Sequence, residues 1–139
     1  MTRVGFYVVK STEAQQRLLV AARLAGKAFQ AGHRVYIHTD SEHQAVQMDE
    51  LLWSFRPGSF VPHGLNGSGD DDLVAIGWQA DVGNHDDLLI NMDLKTPGFF
   101  SRFNRVAEVV TQDEKSLAAL RQAWTFYKDR GYQLEKHDI

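Results

Sequence analysis

This sequence predicts an α/β domain with a mostly parallel central sheet flanked by helices. Three observations lead there. Short apolar runs alternate with longer stretches of helical apolar spacing. The helical stretches begin at capping-box patterns. Neither a repeat nor a long linker divides the 139 residues, so one domain over 1–139 is expected.

The elements follow in order. Val4-Gly5-Phe6-Tyr7-Val8-Val9 is a mostly apolar run of the kind a buried strand shows. Thr12-Glu13-Ala14-Gln15 has the form of a capping box, and apolar residues at 14, 18, 21, 22, 25 and 29 keep helical spacing after it. Gly32 ends that helix, and His33 to His38 reads as a second strand. Ser41-Glu42-His43-Gln44 opens a second helix through Ala45, Met48, Leu51 and Leu52 to Trp53. Residues Pro57 to Asp72 are irregular. Leu73 to Trp78 and Asp87 to Met92 read as strands, Phe99 to Phe103 as a short helix, and Arg105 to Val110 as the last strand. Thr111-Gln112-Asp113-Glu114 opens a third helix with Leu117, Leu120, Trp124 and Tyr127 on one face, stopped by Gly131.

Composition narrows the function classes. The net charge of −3 argues against binding naked nucleic acid, which needs clustered cations. A direct nucleic-acid binder is therefore disfavoured. The charge is uneven: seven Asp and no Lys or Arg lie between Asp70 and Asp93, whereas six basic residues face four acidic ones between Phe99 and Arg130. An anionic partner would meet the latter region. No apolar run approaches the ~20 residues of a membrane span, and the first residues lack a signal-peptide layout. The absence of cysteine removes thiol chemistry and fits a cytoplasmic location.

Catalytic and metal patterns are weak. A nucleotide-using α/β enzyme is the alternative reading, yet Lys10-Ser11-Thr12 after the first strand has no glycine to let a backbone approach a pyrophosphate. Gly64, Gly67 and Gly69 run into Asp70-Asp71-Asp72, which would repel phosphate. His33 and His38 sit five apart on one strand and point to opposite faces. His85-Asp86-Asp87 and the aspartate triplet lack metal-ligand spacing. His63 has Ser59 near it in sequence but no evident orienting carboxylate. No catalytic residue, metal or cofactor is expected.

The segment MDELLWSFRPGSFVPHGL, Met48 to Leu65, resembles the bacterial DNA polymerase III chi subunit family, in which a tryptophan precedes an S-F-V-P-H peptide. FYVV from Phe6, AGHRVYIHTD from Ala31, DLLINM from Asp87, FNRVAEVV from Phe103 and AWTFYKDRGYQL from Ala123 resemble the same family in the same order. The resemblance implies a Rossmann-like accessory protein without catalytic activity. It implies pairing with the psi subunit of the clamp-loader assembly and binding of the acidic, phenylalanine-ended tail of single-stranded DNA-binding protein. It further implies engagement of a DNA repair helicase through the surface used for psi.

By resemblance, Trp53 and Phe60 belong to the psi-binding surface, together with the rest of their peptide, Val61, Pro62 and His63. Aromatic anchors in an apolar patch suit a partner surface, and proline limits the entropy lost on docking. Trp53 and Phe60 closing the core under the loop is the competing reading. By the same resemblance the tail site falls on Val110, Arg121, Trp124, Thr125 and Lys128. An arginine fork suits a terminal carboxylate. Two family lysines are replaced, by Leu117 and Thr125, and Lys115, Lys128 or Arg130 are the candidates to compensate. Trp124 also continues the apolar stripe of its helix, so it can serve the core, the pocket, or both.

Overall fold

The computed structural model describes residues 1–54, 63–65 and 73–139. Among the described residues seven strands form one sheet: β1 (Arg3–Val8), β2 (Val35–His38), β3 (His63–Leu65), β4 (Val74–Gly77), β5 (Leu88–Asn91), β6 (Arg105–Val110) and β7 (Gln133–Asp138). Their spatial order is β3-β4-β2-β5-β6-β1-β7, and every pair is parallel. The helices are α1 (Gln15–Gln30), α2 (Glu42–Ser54) and α3 (Glu114–Asp129), with a short 3-10 turn at Phe100–Arg102.

Two strands depart from the sequence expectation. Arg105–Val110 is not the last strand, because β7 follows α3 and pairs with β1 at the sheet edge. The stretch from Pro57 to Asp72 is not irregular throughout, because β3 lies within it.

The order of strands decides which helix lies on which face. From β1 the chain moves through α1 to β2 and through α2 to β3, both steps in one direction across the sheet. From β6 it moves through α3 to β7 in the other direction. Right-handed crossovers then place α1 and α2 on one face and α3 on the other. The packing agrees. Leu18, Ala22, Met48 and Leu52 share a core with Val35, Ile37, Val74 and Ile76. Tyr127 and the half-buried Leu120 and Trp124 pack with Val4, Phe6 and Val106 on the opposite face.

The helix ends show which caps form. Ser41 Oγ accepts from Gln44 N at 3.2 Å, and the Gln44 side chain reaches back to Asp40 N at 2.9 Å. The expected box at Thr12–Gln15 does not form. The N-cap of α1 is Ala14, without a side-chain cap, and Ser11 Oγ instead accepts from Glu13 N. At α3 the cap shifts to Asp113, which accepts from Ser116 N while Thr111 Oγ1 donates to its carboxylate. Gly131 ends α3 with a φ of 80°, and Tyr132 N donates back to Tyr127 O, a closure that favours glycine.

Candidate functional site

Alternation along β1 and β7 builds the floor of a groove. Register partners in a parallel pair point to the same face, so Phe6 stands beside Lys136 and Val8 beside Asp138. That is the face α3 covers. Residues Leu120, Arg121, Trp124 and Thr125 lie three or four apart on α3 and form one side. An open groove of about 500 Å³ results, lined by Phe6, Val8, Leu120, Arg121, Trp124, Thr125 and Lys136. Its walls are mostly apolar, with cations at the rim.

Trp124 both packs on the core and lines the groove. Its ring packs on Phe6 with centroids 5.0 Å apart and planes tilted by 48°, and it remains only half-buried where it lines the groove. Arg121 is exposed and makes no ion pair among the described residues. Of the other expected tail residues, Thr125 lines the groove and Lys128 does not. Lys128 follows Arg121 by seven positions, which is about 10 Å along the helix axis. Val110 is 4% exposed and faces a small neighbouring cavity beside Phe6 and Leu120. Arg130 is occupied elsewhere: its guanidinium sits 3.6 Å over the Phe126 ring and donates to Phe126 O. Lys115 lies in the first turn of α3, away from the groove lining.

Beneath the groove a buried polar network fixes α3 to the sheet. Glu108 of β6 accepts from Tyr127 Oη at 2.8 Å and from Asn91 Nδ2 at 3.1 and 3.2 Å. Burial pushes its carboxyl up to about 7, against the opposing effect of those hydrogen bonds. The same burial raises Tyr127 well above its ordinary value. Arg17 of α1 donates to Val109 O and Met92 O, and burial lowers its pKa. Arg17, Asn91 and Glu108 were not singled out by sequence reasoning. The available signals were a lone acid inside the apolar run of β6 and an arginine on the apolar side of α1.

The other expected surface lies elsewhere. Trp53, 59% exposed, stands at the end of α2. Helix α2 starts beside the carboxyl end of β2 and runs back, so Trp53 lies at the end of the sheet where β3 begins with His63. Phe60, Val61 and Pro62, like the His63 side chain, lie outside the described residues. Edge strands β3 and β7 are six spacings apart, about 29 Å at the usual strand separation.

Parallel α/β sheets take nucleotides at the carboxyl ends of their strands. The turn after β1 carries no glycine, and α1 opens on Ala14 without a side-chain cap. Among the described residues no group of three His, Asp or Glu side chains is placed to hold a metal, and no helix is long and apolar enough to cross a membrane.

Comparison with known proteins places the chain. The family model described as DNA polymerase III chi subunit, HolC, matches residues 1–135. The DNA polymerase III subunit chi of Pseudomonas aeruginosa is 45% identical over 139 residues, covering 100% of this chain and 98% of that protein. The Escherichia coli K12 subunit chi is 30% identical, covering 96% of each chain. The Haemophilus influenzae subunit chi is 29% identical over 126 residues, 86% of this chain and 85% of that protein. With a whole-length family match and these relatives, the chain belongs to the DNA polymerase III chi subunit family.

Proposed function

We propose that this chain is a non-catalytic adaptor of the DNA polymerase III clamp-loader complex, working in the cytoplasm. It binds the psi subunit through Trp53 and the Phe60–His63 peptide, and the acidic tail of single-stranded DNA-binding protein through the groove beside Arg121. The surface used for psi also receives a DNA repair helicase. These partners are those of the family the chain belongs to.

The observation that carries the tail reading is the groove itself. It pairs an apolar floor and an aromatic wall with an exposed arginine that makes no ion pair among the described residues. A tail ending in phenylalanine needs an apolar cleft for its ring and a fork of donors for its carboxylate. The missing helix lysines at positions 117 and 125 weaken the electrostatic part and leave the apolar part in place.

Fluorescence anisotropy with a labelled acidic peptide ending in Phe tests this, beside the same peptide with an amidated end. The free carboxylate should bind more tightly. Arg121→Ala should remove that preference and weaken binding by roughly 10- to 100-fold, the range for a charge-assisted hydrogen-bonded pair. Equal binding of both peptides to the unaltered chain would sink the tail reading.

A further inference from the structure

We propose that Lys136 is the second cation of the groove. It takes the acidic side chains of the tail, while Arg121 takes the terminal carboxylate. The proposal rests on the tail-binding reading and deepens it.

Three observations carry it. First, Lys136 lines the groove from the strand side, opposite Arg121 and Thr125 on α3. Its register partner is Phe6, the groove floor, so its side chain leaves the sheet on the groove face. Second, no cation of α3 other than Arg121 lines the groove. Lys128 and Lys115 lie outside the lining, and Arg130 covers Phe126. The charge lost from the helix at Thr125 is therefore restored across the groove, from a different element.

Third, Lys136 is held only loosely. Its Nζ is 3.6 Å from Asp138 Oδ1, and the two side chains are 59% and 71% exposed. Such an exposed pair is weak and screened, and it yields readily to a ligand carboxylate. The division of labour follows from the two head groups. A guanidinium fork matches one carboxylate in two parallel bonds. An ammonium on a flexible stem is a point charge that suits several acidic side chains at the rim.

Asp138 gives the proposal a test of opposite sign. Lys136→Ala and Lys136→Gln should each weaken an acidic Phe-ended peptide by roughly threefold or more, the scale of one exposed charge contact. They should leave unchanged the binding of a peptide whose Asp residues are replaced by Asn. Asp138→Asn, which frees Lys136, should tighten the acidic peptide. Thr125→Lys added to Lys136→Ala should restore affinity. All four variants should keep the preference for a free carboxylate, which only Arg121→Ala removes.

If Lys136→Ala and Lys136→Gln bind the acidic peptide as the unaltered chain does, while Arg121→Ala still abolishes the carboxylate preference, Lys136 has no such role and the tail reading stands. If Asp138→Asn weakens binding, the rim charge is not the determinant. No carboxylate-dependent binding by the unaltered chain would overturn both.

Discussion

Glu108 is a buried carboxyl group with three hydrogen-bond contacts from Tyr127 and Asn91. Its pKa of about 7 in the folded chain, against 4.5 for an ordinary glutamate, makes the fold sensitive to pH. Between those values the folded state holds a proton that the unfolded state has released. Stability from this group is therefore complete below pH 4.5 and is lost as pH rises through 7. Its full size is about 3 kcal/mol, from the two pKa values. Glu108→Gln should flatten this fall. Urea denaturation at pH 5 and pH 7.5 should show the variant gaining on the parent as pH rises, and parallel losses would refute the account. Tyr127→Phe removes one of the donors and should cost about 1–3 kcal/mol at neutral pH. At Trp53 the direction differs. Its ring is 59% exposed, so Trp53→Ala should lower the urea midpoint less than truncating a buried aromatic does. The same change should abolish capture of the psi subunit. Arg121 was legible only through resemblance to the family, and Trp124 through that resemblance and through the apolar stripe it continues. Glu108 and Arg17 were not, since only the fold shows that their partners come from other elements.

At the scale of elements, the groove depends on α3 lying flat against β1 and β7. Its start is fixed by Asp113 and Thr111, its last turn by Tyr127 reaching Glu108, and its end by Gly131. Asp113→Ala should cost about 1 kcal/mol, as loss of an N-cap does, read as a lower urea midpoint. It should leave the peptide's carboxylate preference intact. Buried strands announced themselves as apolar runs. Strand β7 did not, because Gln133-Leu134-Glu135-Lys136-His137-Asp138 is mostly polar. That composition suits an edge strand, where charge discourages pairing with another chain. Without β7 in view the sequence gives no place in the groove to Lys136, and the candidate cations Lys115, Lys128 and Arg130 all belong to α3 or its C-cap. The capping boxes divide in the same way. At Ser41–Gln44 the serine cap formed as its pattern implied while the return bond goes to Asp40 N, whereas α1 takes Ala14 as its N-cap, after Ser11 has already closed a turn with Glu13.

The whole molecule is a sheet with one proposed binding surface toward each edge. The chain winds out from β1 toward β3 and later from β4 back toward β7, so the first and last helices lie on opposite faces. Trp53 and the start of β3 belong to one edge, and the Arg121 groove to the other. The α/β class and its helices were legible because alternation and periodicity are local signals. Strand order was not, since nothing local says that β1 lies between β6 and β7. Separation by about 29 Å of packed sheet means that one partner need not displace the other. The proposed adaptor role requires this. The most direct measurement is the affinity of the labelled acidic Phe-ended peptide for the chain alone and for the chain saturated with psi subunit. The account predicts dissociation constants that agree within about twofold, since sites this far apart with no shared partners act independently. Displacement of the peptide by psi would contradict it, and would mean that the two partners compete for one surface.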